Sequence, residues 1–448
     1  MVNAKKMFIF TANFPKLQKE MIKNNNLNFS TRLNYVIGLS ILVFAIGFLA
    51  CSNKASSSET IIQWRGIDRT GIFHETGLMT SWPEEGPSLL WYFDGLGEGH
   101  SSPAIANNTI FVTGMIDENG YLFAFDLNGN LLHQVSYGVE WNRNFHGTRG
   151  TPTISDGKIY LTSGMGILYC FDLHSLDLIW EKDLLTTFGG TNLRWGFTES
   201  PLVVDNKVIV TPGGEQYNVV ALNKKTGELI WSTPGMGDTS AYCSAIYINT
   251  HDIPLVITLT SRHIIGIDAR NGQLIWSYES RNTHGIKSNT PLYHEGMLMW
   301  TAVDKGATML RLLDGGRNVE LVWHIPYLDN MMGGYVKMGN YLYASSSGER
   351  SSPFPSRDWF CVNWYTGEIK WRAQDIDIGA IIANDGLLYI YSHRGEMALV
   401  RPNPERMEVI SQFPITLGTG THWAHPIIYK GVLYIRHGDT LMAFDIKK

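Results

Sequence analysis

Arg149, Glu199 and Asn289 stand at nearly the same place in a phrase that the chain repeats. Glu199 and Asn289 lie two residues ahead of Pro201 and Pro291, and Arg149 lies three ahead of Pro152. If these segments converge, a carboxylate and an amide oxygen offer the hard ligands that Ca²⁺ takes, and a guanidinium offers a rigid fork for an anion. The competing reading is an ion pair between Arg149 and Glu199 that stiffens neighbouring elements. His100, His146, His284, His422 and His425 fall in equivalent segments. Of these, His100, His146 and His425 could converge to hold Zn²⁺ or Cu²⁺, or to form a pH-sensitive anion site. No HxH or HExxH spacing accompanies them, so no metal site is assigned. Trp141, Phe145, Trp195, Phe197, Tyr242, Tyr335 and Trp423 lie in the same segments. Such faces stack on a sugar, a flat heterocycle or a peptide strand, or they simply cap a core. The candidate ligand funnel is therefore His100, Trp195, Tyr242, Trp423 and His425, with Arg149, Glu199 and Asn289 as candidate cofactor ligands.

The elements that must position these residues show in an eleven-residue strip, Ala221-Leu222-Asn223-Lys224-Lys225-Thr226-Gly227-Glu228-Leu229-Ile230-Trp231. It reads as a strand, a turn closed by Gly227, and a second strand carrying one indole. The plan recurs from Gly266 through Asp268 and Gly272 to Trp276, and from Cys361 through Asn363 and Gly367 to Trp371. A weaker copy runs from Cys170 to Trp180 with Leu176 where Gly is expected. His133 takes the Trp place in the first unit, and Val409 or Ile410 in the seventh. Trp180, Trp231, Trp276, Trp323 and Trp371 are spaced 51, 45, 47 and 48 residues apart. Each unit also holds two further β-rich runs split by a Gly, Asn or Asp turn, as in Thr151-Pro152-Thr153-Ile154 and Lys158-Ile159-Tyr160-Leu161. Four strands at this period are the signature of a propeller blade.

The ends complete the count. The chain closes on Met442-Ala443-Phe444-Asp445, a strip with no fourth strand, while Ser88 to Phe93 is a lone Trp strand with no strip before it. Together they make one unit, so the expected fold is an all-β, eight-bladed propeller of four-stranded antiparallel blades, closed by an N-terminal strand. Closure removes the open edge that a linear array leaves. The segments preceding the innermost strands then ring an axial funnel, which loops such as Met115 to Gly120 are candidates to plug. Cys170 and Cys361 occupy the compact first position of the strip and read as buried packing residues. No CxxC spacing or disulfide framework is present.

The strip, its spacing and the eight-fold count resemble the quinoprotein-type (PQQ-like) β-propeller repeat family, over Trp64 to Lys448. The opening Trp64-Arg65-Gly66-Ile67-Asp68-Arg69-Thr70-Gly71, with Trp82-Pro83, is similar to the lead-in of exported bacterial propellers. That group shares its architecture with the outer-membrane β-barrel assembly lipoprotein. The resemblance implies that each indole packs on the turn peptide of a neighbouring blade. It also implies a binding or scaffolding role at the cell envelope. The alternatives it carries are a PQQ- and Ca²⁺-dependent oxidoreductase of an alcohol or sugar, and a carbohydrate-binding accessory protein. The chain lacks an adjacent Cys pair, a cytochrome attachment motif and an Asp at the ring positions, so no enzyme activity is assigned.

Residues 1–50 read as an export signal or anchor. Lys16, Lys19, Lys23 and Arg32 precede an apolar run from Tyr35 to Ala50, and Met21 is an alternative start. Phe48-Leu49-Ala50-Cys51 resembles a lipoprotein signal with Cys51 as the lipidated residue, and the Ser-rich 51–63 is a tether. The mature part, 64–448, is expected to be one domain, a monomer lipid-anchored at the envelope and facing the periplasm or outer surface. Its expected partner is an envelope protein, a small ligand or a glycan. Charged residues are 17% and the net charge is −5, with no basic run beyond the N-terminus, so nucleic acid is excluded as a partner.

Overall fold

A computed structural model describes residues 62–347 and 357–448. The export signal, Cys51, Met21 and nearly all of the tether lie outside the described residues. Within them, eight four-stranded antiparallel sheets follow one another along the chain. Blades 1 to 7 span 104–139, 153–183, 202–233, 246–279, 292–325, 335–373 and 379–414. Blade 8 takes its three inner strands from 427–445, and its outermost strand is Leu89–Phe93, paired antiparallel with Thr440–Asp445. The chain thus closes the ring at the split copy of the strip. No helix among the described residues is long and apolar enough to cross a membrane.

Local chemistry fixes each blade. The first two strands are joined by tight turns whose central residues adopt positive φ, as at Asn107 and Asn108 (50° and 58°) and at Asp156 and Gly157 (49° and 70°). Turns of that hand match the twist of the strands they join, and Asn, Asp and Gly tolerate them best. In the strip, the Asp or Asn side chain accepts hydrogen bonds from backbone N–H groups of the following turn. Asn223 Oδ1 accepts from Lys225 N at 2.9 Å, and Asp268 Oδ1 from Arg270 N at 2.9 Å.

The indole of each strip then reaches the next blade. Trp91, Trp180, Trp231, Trp276, Trp323 and Trp371 donate from Nε1 to backbone carbonyls of Leu127, Lys224, Ala269, Gly316, Trp364 and Asn403, at 2.7–3.3 Å. The rings of Trp91, Trp180, Trp231 and Trp323 also lie against a turn glycine of that neighbour, Gly129, Gly227, Gly272 and Gly367 in turn. A β-carbon at Gly227 would fall 2.9 Å from the Trp180 ring, and one at Gly272 2.7 Å from Trp231. Two exceptions in the sequence now explain each other. Blade 1 carries His133 in place of Trp, so no strip indole covers the turn of blade 2, and that turn accommodates Leu176 at φ 57°.

The axial channel is stoppered by the lead-in segment, not by the 115–120 hairpin, which instead bonds Glu98 at the rim. Ile62 pairs with Ile105 on the inner strand of blade 1, and Ile72–Phe73 lies parallel to the inner strand of blade 7. Between them the chain folds into the channel. Arg69 donates to Ser200 O (3.1 Å), Pro201 O and Ala245 O (3.0 Å), and its Nη2 lies 3.4 Å from Thr153 Oγ1. Arg65 donates to Tyr335 O, Ile381 O and His425 Nδ1, and Trp64 Nε1 donates to Thr290 Oγ1 at 2.8 Å. One turn of chain therefore touches the inner strand, or the residues leading into it, of all eight blades. Both arginines sit at φ 58° and are buried. Their charge is met by peptide carbonyls, the natural acceptors where eight strands converge.

Candidate functional site

The inner strands of blades 1 to 4 are tied by a ladder of hydroxyls. Ser102 N donates to Thr151 Oγ1 (3.0 Å), Thr151 N to Ser200 Oγ (3.0 Å), and Ser200 N to Ser244 Oγ (2.9 Å). A donor with no intrablade partner is thereby satisfied by the next blade, which accounts for a Ser or Thr ahead of the Pro or Ala in each phrase. The ladder fixes the segments just before it around one axial cavity of about 530 Å³. Trp64, from the stopper, contributes to its wall.

Of the residues singled out in the sequence, His100, Trp195, Tyr242, Trp423, His425, Arg149 and Asn289 border this cavity, and Glu199 does not. Phe145 and His284 also border it, whereas Trp141, Phe197 and Tyr335 are buried beneath. The aromatic contacts are tilted or edge-on. Phe145 and Trp423 centroids are 5.0 Å apart, His100 and Trp423 5.2 Å, Trp195 and Tyr242 5.9 Å, and Trp64 and His425 4.8 Å. Phe145 and Tyr242 sit at φ 46° and 61°. Bulky residues enter that region only when their surroundings hold them there, at about 1–3 kcal/mol each.

The expected cofactor ligands are engaged elsewhere. Glu199 is 1% exposed, and its carboxylate accepts from Thr211 N (2.8 Å) and Thr211 Oγ1 (3.4 Å). Burial pushes its acid up to about 8, against the pull of the Thr211 bonds and of Arg69. Asn289 donates to Thr301 Oγ1 and to Asn330, and accepts from Gly334 N at 3.0 Å. The anticipated Arg149–Glu199 ion pair is not formed. Arg149 instead donates to the carbonyls of Trp195 (2.7 Å), Gly147, Asn144 and Phe145, bracing the mouth loops. Desolvation lowers it to about 10.

This arrangement does not fit a Ca²⁺-bound quinone. No Asp or Glu borders the cavity, and the amide oxygen of Asn289 faces Gly334. A hard cation needs several oxygen ligands directed at one point. The three imidazoles do not converge either. His146 lies by Glu98 at 3.5 Å on a separate rim depression, and His422 bonds the Tyr391 hydroxyl at 2.6 Å and stacks on His437. Among the described residues no group of three His, Cys, Asp or Glu could hold a metal ion. His100 is held neutral, its pKa lowered to about 3 by burial and then by Arg149 and Arg436.

Sequence reasoning missed Trp64, Arg194, Ile286, Val303 and Met331 as wall residues. Trp64 belongs to the lead-in, far from the repeats in sequence. Ile286, Val303 and Met331 lie in loops or strand ends whose apolar character is indistinguishable from core, and Arg194 reads as an ordinary exposed charge.

A family model described as outer membrane protein assembly factor BamB matches residues 68–194 and 118–373. Curated relatives include the outer membrane protein assembly factor BamB of Shewanella oneidensis, 25% identical over 207 residues, covering 45% of this chain and 49% of that protein. Tetrathionate hydrolase of Acidithiobacillus ferrooxidans is 25% identical over 230 residues, covering 48% and 43%. The chain spans about half the length of these curated relatives. Among solved structures, BamB from Moraxella catarrhalis superposes with a TM-score of 0.58 at 12% identity, covering 80% of this chain and 98% of that one. A europium-containing methanol dehydrogenase gives 0.61 at 14%, covering 84% and 90%. At these identities the likeness is one of fold.

Proposed function

Because this chain belongs to the BamB family, we propose that it is a binding and scaffolding protein of the cell envelope. It is exported, held by lipid at Cys51, works as a monomer, and receives a partner or ligand at the axial mouth. One observation carries the reading. The mouth is walled by aromatic and apolar side chains, Phe145, Trp195, Tyr242 and Trp423 among them, and is bordered by no carboxylate. Such a wall supplies contact area and orientation, and it offers no carboxylate to act as a base or to hold a hard cation. A carbohydrate role has less support, because the amide and carboxylate that would grip sugar hydroxyls, Asn289 and Glu199, are already paired with protein groups.

The test uses the full chain in its native cells, with a photo-crosslinking phenylalanine analogue at Phe145. Irradiation should give one discrete adduct with an envelope protein, and Trp423→Ala should abolish it. Addition of PQQ and Ca²⁺ to the purified protein should give neither a spectral change nor dye-linked turnover. Turnover with the quinone, or no adduct at Phe145, overturns the proposal.

A further inference from the structure

The cavity wall is polarised across the ring. Arg194, in the segment joining blades 2 and 3, is exposed and lies over Trp195 at 4.9 Å from the ring centroid. Its guanidinium has no hydrogen bond or ion pair among the described residues. Two to three blades further on, the wall is apolar, made by Ile286, Val303, Met331 and Met332. One more group awaits an acceptor. Arg65 can only donate, so the 3.2 Å contact with His425 Nδ1 makes that nitrogen the acceptor and leaves the ring proton on Nε2. That N–H has no protein acceptor. His100 is buried beside the carbonyls of Phe145 and His146 and adds no open donor to the wall.

We propose that the cavity binds a small organic monoanion with an apolar, ring-bearing body. This rests on reading the cavity as a binding site and specifies what fills it. The anionic group lies toward Arg194, where no carboxylate competes for it. The rings lie among Trp195, Tyr242 and Trp423, and the far end contacts the methionines. The cavity volume sits within the roughly 300–1,000 Å³ of small-molecule sites. A neutral ligand of the same shape leaves Arg194 unused, and a cation meets two arginines with no opposing charge.

The probes are 8-anilinonaphthalene-1-sulfonate and its uncharged counterpart N-phenyl-1-naphthylamine, titrated against the purified full chain by fluorescence. The sulfonate should bind once per chain, at least ten-fold more tightly than the neutral amine. Arg194→Gln should abolish that preference while leaving amine binding and the melting temperature unchanged. Trp423→Ala should weaken both probes. Equal affinities, a preference that survives Arg194→Gln, or no saturable binding would overturn the proposal. The Phe145 adduct is a separate readout. Its persistence alongside failed probe binding would discard the ligand class and keep the envelope reading, whereas loss of both discards the cavity as a site.

Discussion

Glu199 shows how a single side chain in this ring can set its response to pH. Buried and bonded to Thr211, it carries an acid raised from the usual 4.5 to about 8. The folded chain therefore keeps a proton that the unfolded chain has released. Its contribution to stability is fully present below pH 4.5 and is lost as the pH rises through about 8. Glu140 is also raised, to about 6, so its share is lost earlier. Glu199→Gln keeps an acceptor for Thr211 N without the charge. The variant should match the native chain at pH 5 and exceed it by a few kcal/mol at pH 8.5, read as urea midpoints across that range. A native profile flat between pH 6 and 8 would contradict the assignment. The residue was legible in the sequence as a carboxylate two places ahead of Pro201 in the repeated phrase. Its role was not, because its partner comes from the adjoining strand and leaves no local mark.

Among the elements, the strip was the most legible because its requirements are local. An Asx residue makes the turn, a glycine lies flat under an indole, and an indole finds a carbonyl one blade on. Six indoles make that bond between blades, and four of them also cover a glycine of the neighbouring turn. Trp231 is 6% exposed, so Trp231→Ala should cost about 3–5 kcal/mol by lost packing and cavity formation. Gly227→Ala places a methyl against the Trp180 ring at φ 71° and should cost about 1–3 kcal/mol. Thermal or denaturant melts check both, and an unchanged midpoint in either variant would mean that the joint does not bear on stability. The hydroxyl ladder was half legible. Ser and Thr ahead of each Pro were read as strand openings, and their reach across blades required the ring to be closed first.

On the scale of the whole molecule, the stopper is what the sequence concealed. Arg65 and Arg69 stand in a polar lead-in, and charged residues are rarely buried without a carboxylate. Their partners are peptide carbonyls, which any sequence supplies, so nothing in their spacing announced the contact. Gly71 and Gly334 are the one visible trace, since a β-carbon at either would collide with Arg65. Arg69→Ala removes the donor of the Ser200 and Ala245 carbonyls and leaves Pro201 O to Thr153 Oγ1 alone, and it should lower stability by several kcal/mol, more than any exposed arginine such as Arg143. Deleting 62–73 should in addition raise susceptibility to limited proteolysis across blades 3, 4 and 6 together, and not in one blade alone.

The same segment also sets an order of events. Residues 62–73 are made before any blade, yet their binding site spans all eight inner strands and exists only when the last has been synthesised. Leu89–Phe93 likewise waits for Thr440–Asp445, more than 340 positions downstream. Contacts of such sequence separation form late and slowly. The earliest-made part of the domain is thus its final latch, and a chain cut short anywhere before blade 8 emerges with its first segment unhoused.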